Sequence, residues 1–146
     1  MTQGILLAIG AAATWGLVYV LEQRVLGEFS VMKFLFFESI FILGVSFISI
    51  LFFEKINSLT TSENFKVIFA PSFLLLIAIT FLANYLILLS VQLVGATFAS
   101  MFEITFPLFV VIFAFYILHQ PIHWMTIMGG ILIIFGSMLV IYVNQP

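Results

Sequence analysis

The sequence predicts an all-α integral membrane protein of five transmembrane helices, and three observations predict it. Hydrophobic residues make up 64% of the 146-residue chain and charged residues only 7%, against about 25% charged in soluble domains. The mean hydropathy is +1.35. Five stretches reach the roughly 20 mostly apolar residues that a spanning helix needs, and the polar breaks between them are too short to hold a soluble domain.

Taken in order, the first helix covers 4–21. It lacks the basic n-region of a signal peptide and more apolar segments follow it, so it is expected to be retained. Residues 22–30 break the pattern with Glu22, Gln23, Arg24 and Glu28. The second helix covers 31–53, and a Ser/Thr/Asn-rich stretch, 54–66, ends it. The third runs over 67–91 and the fourth over 95–117, divided by a short turn at 92–94. Without that turn the two would form one helix too long for any bilayer. A last break at 119–121 leads to the fifth helix, 122–143. The expectation is a single membrane domain over 1–146.

Composition also excludes function classes. The chain has no cysteine and no aspartate, which removes thiol redox chemistry, thiolate metal sites and an aspartyl dyad. Net charge is −2, with no basic run for nucleic acid. Neither His119 nor His123 reaches the middle of a span, and no metal-ligand or Ser–His spacing occurs there, so an enzyme is not expected. Metal and cofactor are expected to be absent.

Five spans put the termini on opposite sides. Arg24 and Lys33 flank the first loop and Lys55 and Lys66 the second, on the other side. Two against two gives no orientation bias. Either other signals orient the chain, or it inserts both ways and pairs as an antiparallel dimer.

At about 100° per residue, the fourth helix gathers Ala96, Ala99, Ser100, Glu103, Pro107 and Ala114 on one third of its circumference. Small residues there admit another backbone. Pro107 has no N–H, so the carbonyl of Glu103 loses its helical partner; acid and proline are one feature. The second helix puts Glu38, Ser39, Ser46 and Ser49 on one face. The first aligns Gly4, Ala8, Ala11, Ala12, Trp15, Tyr19 and Glu22. Thr80 and Asn84 lie four apart on the third. Gly129 and Gly136, seven apart on the fifth, suit tight helix packing.

On these bounds Glu38 and Glu103 lie roughly 5–6 Å from the middle of their helices, displaced toward the side of the first and third loops. Trp15 and Asn84 are displaced the same way, so the four form one layer. Ionisable residues inside a span mark pathways, relays or ligand sites by default. The bland alternatives are a protonated Glu103 bonded to a neighbouring carbonyl, a Glu38–Lys33 pair, a Trp15 that fills a helix contact and an Asn84 that links helices. Glu22, His119 and His123 are read as interfacial, solvated or capping, and Trp124 and Tyr142 as aromatic anchors.

Three stretches carry a family resemblance. AAATWGLVYVLEQRVLGEFS (11–30), with Trp15-Gly16, resembles the opening of the EamA-like repeat of the drug/metabolite transporter superfamily. LANYLILLSVQLVGATFASMFEITFPLFVVIFAFYILHQPI (82–122) is similar to its third and fourth helices, with small residues before a mid-helix proline, here Ala96, Ala99 and Pro107. MGGILIIFGSMLVIY (128–142) resembles its closing helix through Gly129, Leu132, Ile133 and Gly136. The family often carries Arg where this chain has Phe37-Glu38, and Glu where it has Gln120. An acid in place of a base argues against an anionic sugar-phosphate substrate.

Most members resemble two such repeats fused in inverted orientation. The resemblance therefore implies a second, inverted copy for this single repeat, as in the small multidrug resistance transporters, and a prokaryotic inner membrane. The expected function is secondary transport of a small organic molecule, with membrane lipid as the surrounding partner. Glu103 and Glu38 would exchange a proton, the coupling ion, for a cationic or amphiphilic compound. Trp15 and Tyr19 would supply cation–π contact, Asn84 and Ser100 polar contact, and Pro107 a hinge. The alternatives are an uncoupled facilitator for a neutral or zwitterionic metabolite and a non-transporting half or accessory subunit of a heterodimer.

Overall fold

A computed structural model describes residues 2–53 and 62–143. Lys55 and most of the second break lie outside the described residues. Among the described residues seven helical segments follow one another: α1 Thr2–Leu26, α2 Val31–Phe53, α3 Ser62–Ile68, α4 Pro71–Val94, α5 Ala96–Glu103, α6 Phe106–Leu118 and α7 Trp124–Val143. Five spans result, because α5 and α6 together make one, Ala96–Leu118. In hydrocarbon no water can satisfy backbone groups, so each segment closes its own ladder. Large apolar residues stay outside: Phe41 is 71% exposed and Phe53 87%. Such a surface suits lipid rather than water. The protein is an integral, multi-pass membrane protein.

Helix ends differ from the sequence expectation where single residues set them. The first helix does not stop at residue 21 but runs on to Leu26, carrying Glu22, Gln23 and Arg24 as helical residues. It closes through Glu28 N–H and Phe29 N–H to the Val25 carbonyl, at 3.0 and 3.1 Å. The third span begins at Pro71, not at 67. A proline cannot donate to the carbonyl four residues back, so Val67 O accepts from Ala70 at 3.1 Å and α3 ends. Pro71 then occupies the first position of α4, where its missing N–H has no cost.

The turn expected at 92–94 is helical, and a single residue, Gly95, divides α4 from α5. Its φ of 86° and ψ of 161° fall in a region essentially confined to glycine. Gly95 N–H ends α4 on Val91 O, and Gly95 O starts α5 by accepting from Ala99, both at 3.0 Å. At the last break His119 takes a left-handed conformation, φ 54°, and Pro121 follows it. His123 caps α7: its Nδ1 accepts from Met125 N–H at 3.4 Å, the capping role open to it in the sequence.

The chain divides into two compact units: residues 1–24 with 90–146, and residues 25–89. In the first, α7 packs against α5 and α6. A Cβ on Gly130 would come within 1.9 Å of Leu108 Cδ2, so glycine there lets the two helices close. Gly129 and Gly136 have nothing within 4 Å of such a Cβ. Within the chain, the close face of α7 is thus the adjoining one, through Gly130 and the buried Ser137 seven residues on. In the second unit Phe29 and Phe37 meet edge to face at 6.1 Å, and Val31 and Leu35 are buried.

Candidate functional site

The site is built on the first unit, from α1 and α5. Tyr19 and Glu22 lie three residues apart along α1, and both are buried. On α5 the buried residues are Ala96 and Ala99, the small positions that admit a neighbouring backbone. Two hydrogen bonds join the helices. Gln23 Oε1 accepts from Ala96 N–H at 2.7 Å, and the Tyr19 hydroxyl donates to Glu103 Oε2.

Those bonds define the pairing geometry. The residue number falls from 23 to 19 on α1 as it rises from 96 to 103 on α5, so the helices run antiparallel. Helical side chains tilt toward their own N-terminus, so Tyr19 and Glu103 lean toward each other. The long tyrosine bridges the remaining offset along the axis.

Glu103 is the last residue of α5. It lies about four residues, or roughly 6 Å, from the centre of the 23-residue span Ala96–Leu118. It is exposed on the chain although its depth is that of the hydrocarbon. The helix breaks directly after it. Ile104 and Thr105 keep right-handed dihedrals, with ψ of −10° and −12°, so the span continues through the break without turning back. Thr105 stitches the break by donating its N–H at 3.2 Å and its hydroxyl at 2.7 Å to Phe102 O. Pro107 sits in the first turn of α6, which is where a proline is tolerated.

Trp15, 53% exposed, lies one turn from Tyr19 with ring centroids 6.2 Å apart, tilted by 40°. Trp15 thus adjoins the tyrosine that bonds Glu103. Ser100 donates its hydroxyl to Thr97 O at 3.0 Å, so its own helix already uses that proton. Ser39 and Ser49 on α2 do the same toward Leu35 O and Val45 O. Glu38, half-buried, and Asn84, exposed, belong to the second unit.

The helix bounds revise the expected layer. Glu38 keeps its offset of about four residues and Glu103 moves from about three to about four, but α1 is longer and α4 starts later. Trp15 and Asn84 therefore lie within about two residues of the centres of their own spans. Glu22 is also not a solvated interfacial residue: it is 7% exposed, inside α1. The sequence had placed it on the Trp15–Tyr19 face, and that signal was the sound one. Gln23 escapes the sequence reading because that reading ends the helix at 21, five residues short of Leu26.

A family model supplies the remaining observation: the model of the EamA-like transporter family matches residues 2–142. The chain belongs to the EamA-like transporter family. The match runs through both units and all five spans, as the resemblance of the Trp15-Gly16, Pro107 and Gly129–Gly136 segments implied. Comparison with curated proteins and with solved structures gives no match. Membership in the EamA-like family makes this a membrane transporter of small molecules.

Proposed function

We propose that the chain is a secondary transporter that exchanges protons for cationic or amphiphilic organic compounds, exporting them across a prokaryotic inner membrane. The Glu103 carboxyl is the shared site. Protonated, it is neutral and releases a cation; ionised, it attracts one. One observation carries this reading: an exposed carboxylate, deep in a spanning segment, bonded to a tyrosine whose ring adjoins a half-exposed tryptophan. Ionisable groups at such depth are costly and belong to binding or proton pathways by default. Trp15 and Tyr19 offer aromatic faces to an organic cation. The break at Ile104–Thr105 lets α5 move without α6 and supports alternating access.

A second, antiparallel copy of the chain is part of this reading. The balanced placement of Arg24 and Lys33 against Lys55 and Lys66 supports dual insertion, and the exposure of Glu103 gives a second copy something to cover. Glu38 is a further candidate carboxyl, and Glu38→Gln separates its part from that of Glu103.

The test is flux in proteoliposomes under a pH gradient, across a panel of amines and quaternary ammonium compounds. Glu103→Gln is expected to abolish gradient-driven exchange. Undiminished exchange in that variant would remove the proposed role. Wild-type flux indifferent to the gradient would favour an uncoupled facilitator instead.

A further inference from the structure

α5 is a short helix articulated at both ends. Before it stands Gly95 alone, in a conformation essentially confined to glycine. After it the ladder is interrupted at Ile104–Thr105, and Pro107 offers Glu103 no N–H. Neither neighbour along the chain fixes how far α5 slides along α1. α7 packs along α5, and two hydrogen bonds tie α5 to α1 at defined positions.

Of these, Gln23 holds the leading end. Its Oε1 accepts the N–H of Ala96, one of the backbone donors that a helix start leaves without an intrahelical partner. The carboxamide lies where glycine leaves space: a Cβ on Gly95 would sit 3.5 Å from both Oε1 and Nε2. Gln23 and Tyr19 are one turn apart on α1, while Ala96 and Glu103 are two turns apart on α5. Fixing Ala96 against Gln23 therefore fixes how far down α1 Glu103 comes to lie. We propose that Gln23 is a positioning residue for the transport carboxyl: by anchoring the start of α5 it sets the register that brings Glu103 to the Tyr19 hydroxyl. This rests on the reading of Glu103 given above. The other titratable side chains on the helices beside α5 are Glu22 and Arg24 on α1 and Tyr142 on α7.

The experiment is carboxyl ¹³C NMR of glutamate-labelled protein in lipid nanodiscs, with the Glu103 signal assigned by its loss in Glu103→Gln. Gln23→Leu removes the acceptor at similar volume. It is expected to move the Glu103 signal and to change its titration midpoint by about half a pH unit or more. Gln23→Glu keeps an acceptor, now favoured by the α5 N-terminus, and is expected to restore the parent signal. Tyr19→Phe should shift Glu103 as well, and adding Gln23→Leu to it should change nothing further, since residues acting through one contact are not additive. Should Gln23→Leu fail to fold, Gln23→Asn, one methylene short of Ala96, takes its place with the same expectation. A parent-like Glu103 signal in the Gln23 variants, or a shift that adds in full to that of Tyr19→Phe, overturns the proposal. The signal reports geometry and not flux, so a failed transport role for Glu103 leaves this result legible by itself.

Discussion

The hydroxyl of Tyr19 donates to Oε2 of Glu103, joining two helices whose residues are 84 positions apart in the chain. Hydrogen bonds to ionised groups contribute about 1.5–3 kcal/mol, and 1.4 kcal/mol is about tenfold in an equilibrium constant. Tyr19→Phe removes the donor and keeps the ring. It should fold, keep its contact with Trp15, and lower gradient-driven flux about tenfold. Flux measured at matched protein content checks this, and wild-type flux in Tyr19→Phe would make the bond incidental.

Gly95 predicts a cost of a different kind. Alanine there would meet the Gln23 side chain only at ordinary contact distance, 3.5 Å, so crowding is not the problem. The backbone conformation is, at about 1–3 kcal/mol. Gly95→Ala should lower the thermal transition in detergent, and Gln23→Ala introduced beside it should not recover the loss.

At Gly130 the reverse holds. The backbone accepts a side chain, but a Cβ would lie 1.9 Å from Leu108 Cδ2. Overpacking of this kind costs about 1–3 kcal/mol. Gly130→Ala should destabilise by that order, and Leu108→Ala should relieve part of it in the double variant. Gly129→Ala meets nothing within 4 Å in the chain and should stay within about 0.5 kcal/mol. A large loss at Gly129 in the membrane would instead mark a contact with another chain.

Pro107→Ala gives residue 107 an N–H for the carbonyl of Glu103. The new bond should stabilise the span by about 1 kcal/mol and protect amide 107 from hydrogen exchange. Flux should fall, because a continuous Ala96–Leu118 helix no longer lets α5 move by itself. An unprotected amide 107 would show that the break at Ile104–Thr105 does not depend on the proline.

Much of this is legible in the sequence. Five spans, the α2 bounds and the pairing of Glu103 with Pro107 all follow from local rules of helix length and proline geometry. Helix ends were not legible where a single breaker acts alone. Pro71 and Gly95 each moved a boundary, because apolar residues continue on both sides and composition carries no stop signal. The first helix was cut at the charged run from Glu22 to Arg24, although such residues stay helical when packing or bonding satisfies them.

What the sequence determined by itself was the solvent: 64% hydrophobic residues with five long apolar runs leave no alternative to a lipid-embedded helical chain. It also determined which residues are out of place there. Tertiary structure alone decided what those residues meet. Tyr19 bonds Glu103, Gln23 caps α5, Glu22 is buried, and Gly130 rather than Gly129 receives Leu108. The reason is geometric. A helix periodicity assigns a residue to a face, but the azimuth and the axial register of one helix against another are set by contacts between distant segments. Those contacts have no signature in either segment read singly.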